Sequence, residues 1–411
     1  MPNGNGHPAN LLHLPHWDYS PKLKGLSGIY LNTAIRNLAF GILGIFIPIY
    51  IYQVTHSITD VFLFYLIHRA TTLVTVYPAA RLIHRIGPDI AMLLSSVLAA
   101  IYLTLLSSLT DTPSLIWITA IFGGIQLGLH WIPYHTAFAD VTKEKNLSKG
   151  LTNVSNLTRL VRTLAPLAGG LVATKFGFPT LLLMGVLMLI VSSLPVFFDE
   201  YDKKENVKPL KELIDDFYKT KDKTLFYSLF FQGFRIAIDG AIWPIVLYSV
   251  LPDLEKIGGL TTITLIVSFA AVNWVGKRLK HFKIQPLVGG NVARSFIWLI
   301  RAITNHPLII AMTDPFYQFA TIFVNVPRSI LIYQLGKRRK LNFFTQRELA
   351  ISFGRVVSLG LVFIILKAGY PWKLIPLLPI ASITLGNYYL YHYSKARKSL
   401  LENFRIKLTR L

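Results

Sequence analysis

YLNTAIRNLAFGILGIFIPIYIYQ, residues 30–53, is apolar over a length that spans a bilayer core of about 30 Å as a helix. It nevertheless carries Asn32 and Arg36 in its first half. A cation in hydrocarbon costs at least about 2.5 kcal/mol. Arg36 therefore requires a partner, a hydrated cavity or a function.

Runs of the same kind recur along all 411 residues, of which 53% are hydrophobic and 15% charged. A soluble domain carries about 25% charge, so the composition is that of an all-α polytopic membrane protein. Twelve spans are expected, over roughly 27–52, 59–80, 88–109, 113–135, 149–173, 179–198, 225–250, 258–277, 285–304, 307–334, 346–367 and 372–393. The one long link has Leu210, Leu213, Ile214 and Phe217 at i, i+3, i+4, i+7 spacing among charged residues. That is an amphipathic helix, lying along the membrane surface or under the bundle. The expected organisation is an N-terminal segment 1–26, a six-helix half 27–198, the link 199–224, a second six-helix half 225–393 and a basic tail 394–411.

Basic residues set the orientation. Alternate links hold Lys22, Lys24, Arg81, Arg85, Lys143, Lys145, Lys149, the lysines of the long link, Lys277, Arg278, Lys280, Lys283 and the KRRK run at 337–340. The remaining links hold only Lys175, Lys256, Lys367 and Lys373. Both termini are expected on the cytoplasmic side of the cell membrane. The net charge of +22 is thus a matter of topology, and a nucleic-acid partner is not expected. The N-terminal stretch lacks the pattern of a cleaved signal peptide, so the first span is expected to be its own insertion signal. Absence of cysteine excludes disulfides, zinc fingers and iron–sulfur ligation. No Walker-type loop, HExxH or GxSxG occurs, so direct use of ATP, enzymatic activity and a cofactor are not expected.

The halves repeat in register. Arg36 and Gly41 match Arg235 and Gly240; PIYIY at 48–52 matches PIVLY at 244–248; RLIH at 81–84 matches RLKH at 278–281. Pro133 matches Pro327, and Arg162 matches Arg355. All lie roughly 193–199 residues apart, the mark of a duplicated unit. Repeated halves with a site at their interface are the architecture of a secondary transporter.

The chain thereby resembles the major facilitator superfamily along essentially its whole length. The family's loop between helices two and three has the form G-x-x-x-D-R-x-G followed by two basic residues. Here it reads ARLIHRIGPD, residues 80–89: Arg85 and Gly87 match, while Ala80, His84, Pro88 and Asp89 depart from the pattern. The resemblance implies an alternating-access carrier of a small molecule, acting as a monomer, with a coupled ion such as a proton. Its organophosphate:phosphate antiporters hold phosphate with one arginine on helix one and its repeat partner on helix seven, which Arg36 and Arg235 resemble in position.

Arg36, Arg69, Arg159, Arg162, Arg235, Asp239, Arg294, Asp314, Arg328 and Arg355 fall inside expected spans. They form a structural network or line a cationic cavity. Only Asp239 and Asp314 read as carboxylates well inside a span, and this scarcity points to an anionic substrate, organic or phosphate-type. The expected substrate residues are Arg36, Arg235, Asn32, Gln126, Gln232 and Gln318. The expected gating or coupling residues are Asp239, Arg162, Arg355, Arg159, Arg69, Arg85 and Gly87. Asp239 lies at i+4 from Arg235, as a simple ion pair or a switch that substrate or a proton opens. Asp314 reads as a helix cap or an extracellular gate. His130 and His135 read as interfacial packing, and Trp117, Trp131, Trp298 and Trp372 as an interfacial belt. Of the adjacent His68 and Arg69, one is expected to face the cavity and the other a neighbouring helix. Two other functions fit the same composition: an exporter of amphipathic compounds with structural arginines, and a non-transporting receptor or lipid-handling protein.

Overall fold

The computed structural model describes residues 26–141, 157–158, 160–195, 206–219, 223–278, 284–304, 306–336, 340–371 and 374–396. Among these residues every regular element is helical. In chain order they are α1 (Leu26–Leu43), α2 (Phe46–Thr55), α3 (Ile58–Ile86), α4 (Pro88–Ser107), α5 (Ile116–Val141), α6 (Ala165–Ser193), α7 (Leu210–Lys219), α8 (Lys223–Val250), α9 (Leu254–Arg278), α10 (Ile284–Ile303), α11 (Pro307–Gly336), α12 (Lys340–Lys367) and α13 (Leu377–Ala396).

The elements correspond to the expected spans with local departures, among them an eleventh-span helix that starts at Lys340 and not at 346. The first span breaks into α1 and α2 around Gly44. The fifth and sixth join in α6, where Gly177 has φ 81° and ψ 166°. A left-handed φ of this kind favours glycine. The chain folds back there: residues 41–43 pack against Ala165 and Gly169 on one side and Gly185 on the other. Sixteen residues of straight helix would separate Gly169 from Gly185 by about 24 Å. Nine helical stretches among the described residues are long and apolar enough to cross a membrane. Dividing the stretch at Gly177 and adding the more polar α10 and α13 brings the bundle to twelve membrane helices.

Packing follows the repeat. In the N-terminal set, α3 and α4 lie on α5, and α1 on α6; in the C-terminal set, α12 and α13 lie on α8, and α10 on α11. The sets meet through α3 against α12 and α6 against α9, which are related pairs in the duplicated order. The α8–α12 crossing is close because glycines interlock: a Cβ on Gly233 would overlap the Ile351 carbonyl, and one on Gly354 the Phe230 carbonyl. Small residues admit such approaches in membranes, where packing rather than hydrophobicity drives association. Gly233→Ala should therefore cost about 1–3 kcal/mol by overpacking, read as a lower melting temperature, whereas Gly259→Ala, whose Cβ meets nothing within 4 Å, should be silent there.

The amphipathic link is realised as α7 and docks under the bundle. Leu213 is fully buried, while Leu210 and Ile214 stay exposed. Gln346 Nε2 donates to the Leu213 carbonyl at 3.0 Å. Asn342 accepts from the Lys208 amide and donates to the Asn206 carbonyl. This is the linker end of the bundle, and the far end lies opposite it. At the far end Gln53 Nε2 donates to the Tyr248 hydroxyl at 2.9 Å. At the linker end His135 of α5 meets Tyr333 and Arg347 of the C-terminal set. The two sets are thus joined at both ends, and the polar residues between them are enclosed.

Candidate functional site

Arg36 sits on α1, 4% exposed. Its Nη2 donates to Gln126 Oε1 of α5 at 2.8 Å, and its guanidinium lies 5.1 Å from the centre of the Phe40 ring one turn on. The Gln126 backbone is itself held, since the Ser95 hydroxyl of α4 donates to its main-chain carbonyl. The Arg36 Nη1 group is buried without a hydrogen-bond partner. Among the described residues no carboxylate reaches Arg36 within ion-pair distance. Asn32, one turn earlier, donates to the Ser192 carbonyl of α6 at 2.6 Å. Its amide nitrogen thus ties helices together, and only its oxygen remains unpartnered. Arg162 lays its aliphatic stem over Gly41, and its Nε has no partner. Arg159 lies outside the described residues.

The repeat partner of Arg36 has different chemistry. Arg235 on α8 is ion-paired with Asp239 one turn away, and the Tyr317 hydroxyl of α11 donates to that carboxylate at 2.9 Å. Tyr317, not its neighbour Gln318, closes this contact. Gln318 and Gln232 are half-buried, and the Gln232 oxygen has no partner.

Two more arginines approach the same tyrosine from α10. Arg294 lies 5.5 Å from the centre of the Tyr317 ring. Arg301 is boxed by Trp243, Trp298 and Tyr317, with its charge 3.4 Å from the Trp243 ring centre. Arg301 donates to Thr313 at 2.9 Å and to Asp314 at 3.3 Å. Asp314 therefore does not cap a helix: α11 begins at Pro307, and the carboxylate is buried beside an arginine. Nor is Trp298 part of an interfacial belt, being fully buried in this cage. Arg328, further along α11, is buried with its Nε unpartnered.

A third cluster joins the two sets at the linker end. Arg347 donates to His135 Nε2 at 3.0 Å, and His135 Nδ1 meets the Tyr333 hydroxyl at 2.6 Å. The acceptor role of Nε2 leaves the proton on Nδ1, so His135 is neutral in this arrangement. Glu348 pairs with Arg347 and lies 4.0 Å from both Arg355 and His135. Arg69 of α3 is within electrostatic reach of Glu348. Its neighbour His68 is buried against Tyr102 and Gly123. The adjacent pair thus divides between the opposite set and its own helices, as two consecutive helical residues must. His130 is buried and stacked on Tyr134. Arg85 is exposed, and Gly87, with φ 88°, makes the turn between α3 and α4.

Glu348 is the carboxylate that sequence reasoning missed. Its spacing to Arg355, i+7 along one helix, was the available signal. Arg301 was likewise overlooked, although it stands at i+7 from Arg294.

A family model described as Major Facilitator Superfamily matches residues 29–389. The fold superposes on the nucleoside transporter NupG with TM-score 0.64 at 12% identity, over 90% of this chain and 99% of that one. The Escherichia coli fucose:proton symporter FucP gives 0.63 at 10% identity, over 90% and 98%. FucP in the outward conformation gives 0.60 at 11%, with the same coverage. Identities this low carry the fold alone. No curated protein sequence gives a significant match.

Proposed function

Because the chain belongs to the major facilitator superfamily and is thus a multi-pass secondary transporter, we propose that it carries a small anion across the cell membrane. The observation that carries this reading is an imbalance of enclosed charge. Arg36, Arg235, Arg294, Arg301, Arg328 and Arg355 are all buried. Among the described residues only Asp239, Asp314 and Glu348 stand against them as ion-pair partners. Uncompensated cations away from bulk water are costly, and a bound anion relieves that cost in the loaded state.

Within this reading Arg36 and Gln126 hold substrate from the N-terminal set. Arg235 with Asp239 is the coupling pair, opened by a proton or by substrate. Arg69, Glu348 and Arg355 close the linker end, which the basic links place on the cytoplasmic side. Rocking of the two sets about the enclosed polar residues supplies alternating access.

Arg36→Lys keeps the charge but loses the planar fork. Loss of one charge-assisted hydrogen bond, about 1.5–3 kcal/mol, corresponds to roughly a ten- to hundredfold fall in counterflow efficiency. Proteoliposome counterflow against phosphate, organophosphates, carboxylates, sugars and nucleosides tests the whole reading. Exchange of a neutral sugar or nucleoside with no anion accepted would overturn it.

A further inference from the structure

Asp239 occupies Arg235 in this structure, which leaves another guanidinium of the C-terminal set to meet an anion while that pair is closed. We propose that Arg294, supported by Arg328, is that group, and that the pair selects a doubly charged oxyanion such as a phosphate monoester. This deepens the anion reading above and rests on it.

The geometry of Arg294 distinguishes it from the other buried arginines. It is 1% exposed at the middle of α10. Its Nη1 donates to Asn291 at 3.2 Å, and Asn291 donates to Asn387 of α13 at 3.1 Å. Its guanidinium faces the Tyr317 ring. One nitrogen and one face are therefore fixed by neighbours on three helices. What remains is the Nε and Nη2 pair, both buried and both without a partner. These two N–H groups form the side-on edge that grips a carboxylate or phosphate with parallel hydrogen bonds. A donor left unmet in the interior is destabilising, so an edge held this firmly and left unmatched has the form of a binding group. Arg301 lacks this feature, because Thr313 and Asp314 take its donors.

Charge fixes the class of ligand. Arg235 lies within electrostatic reach of Arg294, as Asp239 does. Arg328 is within reach of both Arg235 and Arg294. Three guanidinium charges and one carboxylate leave two positive charges. A dianion neutralises this C-terminal group, whereas a monocarboxylate leaves one of its charges uncompensated, and Arg36 adds a further cation from the N-terminal set. Arg347, also within reach of Arg328, is matched by Glu348.

The test measures thermal shift in detergent and counterflow in proteoliposomes for glycerol phosphate, succinate, lactate and glucose. The parent should respond to glycerol phosphate with an affinity at least tenfold above that for lactate. The succinate arm separates phosphate chemistry from double charge in general. The second ionisation of a phosphate monoester lies near pH 6, so affinity should fall as pH drops from 7.5 to 5. Arg294→Lys should weaken glycerol phosphate at least tenfold, and Arg301→Lys, at an arginine whose donors Thr313 and Asp314 already take, by less than threefold. Should Arg294→Lys fail to fold, Arg328→Lys provides the second variant, with an expected loss of severalfold. Lactate binding as tightly as glycerol phosphate, or unchanged affinity in the Arg294 and Arg328 variants, would sink the assignment while leaving an anion carrier intact. A parent that takes up glucose and no anion would instead remove the reading beneath it.

Discussion

Asp239→Asn should lower the melting temperature by several degrees and abolish transport, and the double variant Arg235→Gln/Asp239→Asn should regain most of the lost stability. The Asp239 side chain is 22% exposed and that of Arg235 only 7%. Both carboxylate oxygens accept from Tyr317. Neutralising Asp239 leaves Arg235 buried without its counter-charge, and breaking such a pair from one side costs about 3–5 kcal/mol. Removing both charges avoids that penalty, because a buried pair is often worth little against neutral groups of similar volume. The coupling in the double-mutant cycle isolates the interaction. Equal melting of the single variant and the parent would mean that water, rather than Asp239, balances Arg235.

The same pair marks where sequence reading succeeded and where it stopped. Arg36 and Arg235 were conspicuous because ionisable residues are rare inside spans, and their register within the repeat needed no structure. What each touches did not follow from register. Arg36 meets a neutral glutamine, while Arg235 meets a carboxylate and a tyrosine. Gln126 and Gln318 match along the chain, yet Tyr317 makes the contact, since neighbouring residues on a helix point about 100° apart. Asn32 read as cavity lining and instead bridges to a carbonyl of α6. The helices themselves were legible from apolar length, including the division near Gly177. Helix starts were less so. Beginning the eleventh span at 346 placed Glu348 in an interfacial first turn, where an acid is unremarkable. The helix in fact starts at Lys340, which carries Glu348 two turns inward and buries it. Trp298 and Arg301 misled for a related reason. Distance from a span end resembles the position of a belt or a snorkelling cation, whereas their burial depends on Trp243 and Tyr317 from other helices.

Glu348→Gln should open the linker end. The loop at 80–89 has His84 where the superfamily pattern has an acid, so the closing carboxylate must come from elsewhere. Glu348 is placed to supply it: its side chain is 5% exposed, pairs with Arg347, and faces Arg355 and His135. Without it Arg355 faces Arg69 with no negative charge between them, and like charges across that contact favour separation of α3 from α12. Ser352, one turn along α12 and fully buried, reports the event as Ser352→Cys. The chain contains no cysteine, so a maleimide added from the linker end reads that position alone. Labelling should rise severalfold in Glu348→Gln. A reporter at Gln53, beside the Tyr248 contact of the far end, should label less as the opposite end opens, because alternating access forbids both. Unchanged labelling at Ser352 would place closure in the ring packing of His135, Tyr333 and Phe344 instead of in the carboxylate.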